Sequence, residues 1–453
     1  MNENKTIAAI STPLAVGGIG VIRVSGENAL LISDKIFKGK KSLLSMLGGS
    51  LTYGKIYSPK GEFIDEVVVS VFKAPKSYTG EDTVEFSLHG SPILLKKTLR
   101  ALIESGASLA GKGEFTKRAL LNGKLTLTEA EAIIDIINAE SYLSASLAFS
   151  NRNGALFRRI KGYIENLTDL AGEVSAVIDF PDEDLTDIPK DEIVFRLKTL
   201  SRDIASLSET FQKGEMIRRG IPITIAGRPN AGKSSLMNAL SGTDKSIVTD
   251  IPGTTRDIVE AEISLGDSIF ILSDTAGIRD TENVVEQIGV QRAKESVNSA
   301  EIVLLIFDGS LPLSKEDKDL IEELKSKNTI AVINKSDMGV REEYKSIEIP
   351  EKIIISAKTG EGIRELEEKI LEFSGIKNID ADKGIIANER QYACVLKAKN
   401  CLKEVENALE NGVEFDVLGL LLEEAISALT DLTGDRASDK IIDNVFSRFC
   451  VGK

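Results

Sequence analysis

The densest chemistry in the chain sits in Gly227-Arg228-Pro229-Asn230-Ala231-Gly232-Lys233-Ser234. The pattern G-x-x-x-x-G-K-[ST] is that of a phosphate-binding loop. Its glycines let the backbone curl, so that N–H groups face phosphate oxygens at a helix N-terminus. Asn230, Ala231, Gly232, Lys233, Ser234 and Ser235 are the candidate phosphate-binding residues. Lys233 supplies a point charge to the β- and γ-phosphates, and the Ser234 hydroxyl can ligate Mg²⁺. Three further groups follow in order. In Asp274-Thr275-Ala276-Gly277, a carboxylate can reach Mg²⁺ through water and a glycine N–H can sense a γ-phosphate. In Asn334-Lys335-Ser336-Asp337, the Asp337 carboxylate can accept from the N–H and NH₂ of guanine, a donor pair adenine does not offer. Ser356-Ala357-Lys358 can close over that base. Between the phosphate loop and Asp274 lies Thr254-Thr255-Arg256-Asp257, where Thr255 is the candidate hydroxyl for Mg²⁺ and γ-phosphate. Ile278 stands where many GTPases carry a water-positioning glutamine, and an apolar side chain cannot orient water.

These residues need strand ends to hold them. From Ile221 onward the sequence shows short buried-strand runs: Ile223–Ala226, Ile269–Leu272, Ile302–Phe307, Ile330–Ile333 and Lys352–Ile355. Helical stretches separate most of them, which predicts a mostly parallel, doubly wound sheet covered on both faces. Residues 1–120 mix strand-like runs (Ile19–Val24, Glu66–Phe72, Thr83–Leu88) with helical stretches over Glu27–Phe37 and Pro92–Ser105, an α/β or α+β pattern. From Thr128 helical periodicity takes over. Thr128 and Glu131 have capping-box spacing, and Leu156, Ile160, Ile164, Leu167, Leu170, Val174 and Val177 form one apolar stripe that Pro181 ends. Helical patterns return after residue 376. The expected architecture is multidomain α/β. It comprises an N-terminal domain (1–120), a helical domain in two parts (121–217 and 377–453), and an inserted nucleotide-binding domain (218–376). Two separate helical domains are the alternative.

Composition narrows the chemistry. The 453 residues carry 56 Lys and Arg against 70 Asp and Glu, a net charge of −14, which argues against a generally basic nucleic-acid coat protein. The only histidine is His89, which excludes multi-histidine zinc sites and has no catalytic partner visible in the sequence. Three cysteines, Cys394, Cys401 and Cys450, make no disulfide framework. No signal peptide or membrane-spanning run is evident, so a soluble cytoplasmic protein with no membrane partner is expected. Gly17-Gly18-Ile19-Gly20 lacks the third glycine of a dinucleotide fingerprint. Cys450 reads two ways: a reactive thiol activated by nearby Lys453, or a small buried residue after Phe449.

The chain resembles the MnmE (TrmE) family of tRNA-modification GTPases along its whole length. The resemblance rests on Gly227–Ser234, on the run Ile247–Asp257, on Ser77–Asp82, Gly113–Ala119 and Phe180–Glu183, and on the ending Cys450-Val451-Gly452-Lys453. It implies a folate-binding N-terminal domain that forms a homodimer, a helical domain and an inserted G domain. It also implies a flavoprotein partner, MnmG (GidA), in a heterotetramer acting on tRNA. The two together would place an aminomethyl or carboxymethylaminomethyl group on carbon 5 of the wobble uridine. The one-carbon unit would come from a tetrahydrofolate derivative (5-formyl- or methylene-tetrahydrofolate). Within the G domain it implies GTP, Mg²⁺ at Ser234 and Thr255, and K⁺ held by Asn230, Thr249, Ile251 and Thr254. The whole loop Thr249, Asp250, Ile251, Pro252, Gly253, Thr254 and Thr255 would then border the nucleotide, and Glu286 would orient the attacking water. The folate residues carried over are Arg23, Glu85, Lys124 and Lys453, with Cys450 in a catalytic role. A competing reading is a GTP-dependent switch in ribosome assembly. Such proteins carry a basic RNA-binding appendage that is not evident here.

Overall fold

A computed structural model describes residues 5–179, 190–242, 260–274, 298, 300–376, 379–411, 415–434 and 438–453. The chain divides into two compact units. One comprises residues 1–134, 151–200 and 397–453, the other residues 135–150 and 201–396.

The first unit is built on a seven-stranded sheet in the order β3-β4-β5-β6-β2-β1-β7. Its strands are β1 (Ile7–Ile10), β2 (Ile19–Ser25), β3 (Phe37–Gly39), β4 (Ser50–Tyr57), β5 (Phe63–Phe72), β6 (Thr83–His89) and β7 (Ser108–Leu109). All neighbours are antiparallel except β1 and β7. Strand β5 shows why one face is core. Val67, Val69 and Val71 are buried, while Glu66 and Val68 alternate with them and are exposed, the period-two alternation of a one-sided sheet. The buried side chains meet Ala29, Ile32 and Ile36 of the Ala29–Ile36 helix and Leu95, Ala101 and Leu102 of the Pro92–Glu104 helix.

The helices of this unit bury the stripes their spacing predicts. In Ala155–Asp179, Leu156, Ile160, Leu167, Leu170 and Val174 are fully covered. This helix packs against Phe415–Thr433, whose Leu418, Leu422, Ala425 and Leu429 are equally buried. Helices from both predicted helical stretches therefore share one bundle. Arg196 Nη1 donates to Glu173 Oε1 at 2.7 Å and ties the Lys190–Arg219 helix to it. The capping box falls two residues earlier than Thr128 and Glu131. The Leu127–Ile137 helix is capped by Thr126, whose backbone N–H donates to Glu129 Oε2 at 2.8 Å, while Glu129 N donates to Thr126 Oγ1 at 3.3 Å. Thr128 and Glu131 lie buried within the helix, where the Thr128 hydroxyl meets that of Thr126 at 3.1 Å, so they are not its cap.

The second unit holds a six-stranded sheet, β13-β12-β11-β8-β10-β9, parallel except for the β9–β10 hairpin. The strands are β8 (Ile221–Ala226), β9 (Glu260–Leu265), β10 (Ser268–Asp274), β11 (Ile302–Asp308), β12 (Thr329–Asn334) and β13 (Glu351–Ile354). Strands β11 and β12 are buried on both faces, as continuous apolar runs in a covered parallel sheet must be. Every predicted run is present; β9, with its alternating Glu260, Glu262 and Ser264, is an additional antiparallel edge.

Candidate functional site

Strand β8 ends at Ala226, the next six residues form a loop, and the helix Lys233–Ser241 begins. The loop needs its glycines for definite reasons. A Cβ on Gly227 would lie 2.4 Å from the carbonyl oxygen of Ile306 on the neighbouring strand, and one on Gly232 would lie 2.2 Å from Asn334 Nδ2. Asn230 is itself left-handed, with φ 64°, the sharp curl that turns successive N–H groups inward. Ser234 and Ser235 are exposed on the first turn of the helix, and the Asn230 side chain is exposed at the tip of the loop. The Lys233 ammonium is buried and donates to the carbonyls of Gly227 at 2.6 Å and Arg228 at 2.9 Å.

The residues expected to read the base are wired directly to this loop. Buried Asn334, at the end of β12, donates through Nδ2 to Ala231 O at 3.0 Å and accepts at Oδ1 from Ala357 N at 3.0 Å. One amide thus ties the phosphate loop to the Ser356-Ala357-Lys358 loop. Asp337 Oδ1 accepts from the buried Ser356 hydroxyl at 2.8 Å, which fixes the carboxylate while leaving it exposed. Lys358 is exposed beside it in sequence. Asp274 ends β10, paired in register with Ile225 of β8, so its backbone stands at the same sheet edge as the phosphate loop. Thr249 to Thr255, Thr275, Ala276, Gly277 and Glu286 lie outside the described residues.

Sequence reasoning missed Asp308. At the end of β11 its Oδ2 accepts from Lys335 Nζ at 2.5 Å, and Lys335 Nζ also donates to Asn230 O at 3.0 Å. Lys335 holds a left-handed backbone, φ 66°, to make both contacts. Burial pushes the Asp308 carboxyl up, but hydrogen bonds from Lys335 and Ser310 outweigh it and hold its pKa below the usual carboxylate value. Tyr344 donates its hydroxyl to the carbonyls of Asp308 and Leu311, at 2.9 and 3.0 Å, and burial raises its pKa to about 12. It stays a neutral donor and anchors the strand end. The available signal was an acid at the carboxyl end of a parallel strand beside the phosphate loop.

A second cluster lies on the N-terminal sheet. Arg23 of β2 and Glu85 of β6 face each other in register, with Nε donating to Oε1 at 2.7 Å. The guanidinium carbon lies 5.3 Å from the Tyr78 ring centre and 5.5 Å from that of Phe115. Tyr78 and Thr116 share a hydroxyl–hydroxyl bond of 2.8 Å. Lys124 Nζ donates to Pro75 O at 3.1 Å, on the loop that carries Tyr78. The C-terminal tail is sewn to the same domain. Phe115 N donates to Lys453 O at 3.2 Å, Gly113 N to Cys450 O at 3.2 Å, and the Ser11 hydroxyl to Gly452 O at 3.0 Å. Val451 forms a β-bridge with Lys112. Cys450 is exposed, which removes its reading as a buried residue. His89 does have a partner: Nδ1 and Asp65 Oδ1 are 2.8 Å apart, and His89 N donates to Asp65 Oδ2 at 2.9 Å.

A mostly parallel sheet with a glycine-rich loop at its carboxyl edge, tied by one buried asparagine to the Ser356-Ala357-Lys358 loop, is the arrangement of a P-loop GTPase. The "MnmE helical domain" family model matches residues 127–450, and "GTP-binding protein TrmE N-terminus" matches residues 6–124. The chain is 41% identical over its full length to the tRNA modification GTPase MnmE of Lactobacillus delbrueckii subsp. bulgaricus, covering 99% of that protein. It is 40% identical to that of Lactobacillus johnsonii, again over 100% of this chain and 99% of the relative. Among solved structures, Era from Aquifex aeolicus matches 40% of this chain and 65% of its own at 27% identity, with a TM-score of 0.28. The G domain of FeoB from T. maritima matches 34% and 98% at 26% identity, with a TM-score of 0.27. The chain belongs to the MnmE family of tRNA modification GTPases. Among the described residues, no helix is long and apolar enough to cross a membrane.

Proposed function

We propose that this chain hydrolyses GTP with the help of K⁺. With the flavoprotein MnmG it then places an aminomethyl or carboxymethylaminomethyl group on carbon 5 of the wobble uridine of certain tRNAs, using a folate one-carbon unit. The observation that carries the second half is the docking of the Cys450–Lys453 tail on Phe115, whose ring flanks Arg23, within one compact unit. A tail whose backbone carbonyls accept three hydrogen bonds, from Gly113, Phe115 and Ser11, presents its thiol at a defined place.

The nucleotide residues fit their ligands by donor type. The loop from Asn230 to Ser235 offers N–H groups at a helix N-terminus, and Ser234 offers an exposed hydroxyl for Mg²⁺. Asn230 offers an exposed amide oxygen for K⁺, with Thr249, Ile251 and Thr254 completing the set. When bound, the two cations neutralise charge on the phosphates. Thr255 contributes its hydroxyl, Asp274 holds water, and Glu286 orients the attacking water toward the γ-phosphorus. Asp337 selects guanine. On the N-terminal domain, Glu85 suits the N–H edge of a pterin, and Arg23, Lys124 and Lys453 suit the carboxylates of its glutamate tail. When bound, the folate supplies the one-carbon unit. The domains divide as 1–120 for folate binding and homodimerisation, 121–217 and 377–453 for the helical domain, and 218–376 for the G domain.

The test is mass spectrometry of tRNA nucleosides from cells lacking the protein, with and without complementation. Loss of the modified wobble uridine, restored by the gene, is the expected result. Normal nucleosides alongside defective ribosomal subunits would instead support a ribosome-assembly switch. Hydrolysis measured in KCl and in NaCl examines the cation separately, and equal rates would remove K⁺ from the scheme.

A further inference from the structure

The net charge of −14 hides a sharp asymmetry. Residues 1–124 carry 17 Lys and Arg against 11 Asp and Glu, whereas residues 125–453 carry 39 against 59. The N-terminal domain is thus the basic part of an acidic chain, the pattern expected where a polyanion is bound by one domain and repelled by the others. Its open sheet face shows where the charge could be used. Lys38 of β3 and Lys55 of β4 are directly opposite each other, an arrangement of like charges that costs stability in a sheet. Lys38 Nζ lies 4.9 Å from the centre of the Tyr57 ring, and Lys55 Nζ lies 5.8 Å from that of Phe63. Those two rings meet edge to face, with centroids 5.8 Å apart. Phe63 is 52% exposed and Tyr53, one outward position along β4, is 59% exposed. Glu66 is the acid of this group; it accepts from the Tyr53 hydroxyl at 2.6 Å and pairs with Lys55 at 3.3 Å, so it also holds that ring upright.

Exposed aromatic faces stack unpaired bases, and ammonium groups beside them neutralise the phosphates between those bases. We propose that the face formed by Lys38, Tyr53, Lys55, Tyr57 and Phe63 is where an unpaired segment of tRNA docks. The inference rests on the tRNA-modification reading. Counting strands and residues along the register places this platform roughly 20 Å from Arg23, on the same sheet face. A few nucleotides span that distance. The proposed homodimer forms through this same domain, so a second copy of the chain is the competing occupant of the face; two such faces would bring like-charged lysine pairs together, which favours the polyanion.

The experiment measures binding of full-length protein to a fluorescein-labelled tRNA transcript by anisotropy across a KCl series. Lys38→Gln with Lys55→Gln should lower the slope of log affinity against log salt by about 1.4, the value for two single-strand phosphate contacts. Phe63→Ala should weaken binding roughly 5–150-fold, the loss of one stacked base. Both variants should keep wild-type GTP hydrolysis, and Lys345→Gln with Lys352→Gln in the G domain should leave tRNA binding unchanged. Unaltered affinity and slope in the platform variants would overturn the proposal. So would wild-type protein that binds no tRNA, or platform variants that bind tRNA normally but shift the monomer–dimer equilibrium in sedimentation. Nucleoside analysis of complemented cells keeps the two ideas apart. A modified wobble uridine with unaffected platform variants rejects the surface alone, whereas no modification with wild-type protein rejects the underlying reading.

Discussion

Asp337 and Asp308 illustrate what single residues reveal and conceal. The role proposed for Asp337 rests on its place in Asn334-Lys335-Ser336-Asp337, because a carboxylate can accept both guanine donors and Ser356 orients it from one side. Asp337→Asn should weaken GTP strongly and favour xanthine nucleotides, since an amide can donate where the carboxylate could only accept. Competition binding with both nucleotides checks this, and unchanged GTP affinity would remove Asp337 from the base site. Asp308 has no motif to announce it. Its importance arises from folding, which brings the ends of β11 and β12 together so that Lys335 can clamp both Asp308 and the Asn230 carbonyl. Losing a charge-assisted bond of this kind costs about 1.5–3 kcal/mol. Asp308→Ala should therefore raise the Kd for GDP by at least about tenfold while leaving the preference for guanine over xanthine intact, as fluorescent-nucleotide dissociation would show. The carboxyl's depressed pKa adds a pH signature. Its contribution is complete above the ordinary carboxylate pKa and is lost only as pH falls through the lower folded value. Arg23 and Glu85 were nominated by resemblance, but Tyr78 and Phe115, whose rings flank the guanidinium, were not, because contacts between remote loops leave no periodic trace.

At the scale of elements, buried apolar runs and helical stripes were the legible part. Strands β8, β10, β11, β12 and β13 lie where continuous Ile, Val and Leu runs put them. Strands that are short or half polar, such as β1, β3, β7 and β9, were not distinguished from loops, because their pairing partners define them more than their own pattern does. The C-terminal tail was legible as a motif but not as a docked element. Its geometry hangs on Gly452, which has φ 101° and whose Cβ would stand 2.2 Å from Ile10 O. Gly452→Ala must therefore shift the tail, since an L side chain is strained at that φ and the obstacle is backbone. The terminal helix Asp439–Ser447 has its own anchors, with Phe446 and Phe449 buried against Leu127 and Ala130 and Lys117 paired with Asp443 at 2.6 Å. Thermal unfolding should accordingly fall by only a few degrees, the scale of about 1 kcal/mol in a domain of this size. Limited proteolysis should nevertheless cut the last residues faster than in wild type. A tail equally protected in both proteins would show that Gly452 does not govern docking.

For the whole molecule, the decisive issue is whether hydrolysis and RNA chemistry can be separated. The phosphate loop and base site belong to one compact unit, while Arg23, Glu85, Cys450 and Lys453 belong to the other. No hydrogen bond described for the tail reaches a nucleotide residue; its partners are Ser11, Lys112, Gly113 and Phe115. Cys450 is exposed, so replacing its sulfur with oxygen creates neither a cavity nor a buried unsatisfied hydroxyl. Cys450→Ser should therefore fold and hydrolyse GTP as wild type does. A hydroxyl is a far weaker nucleophile and redox group than a thiolate, so the variant should fail to support wobble-uridine modification in complemented cells. Removing Lys453 should leave hydrolysis intact as well and weaken folate binding by about 1.5–3 kcal/mol, one charge-assisted hydrogen bond. Paired GTPase assays and nucleoside mass spectrometry read both activities from the same variants. Full modification with Cys450→Ser would eliminate a reactive role for the thiol. Loss of both activities would mean that the tail matters to the G domain through the fold, because the first unit would then have to transmit a change at its surface to the nucleotide site of the second.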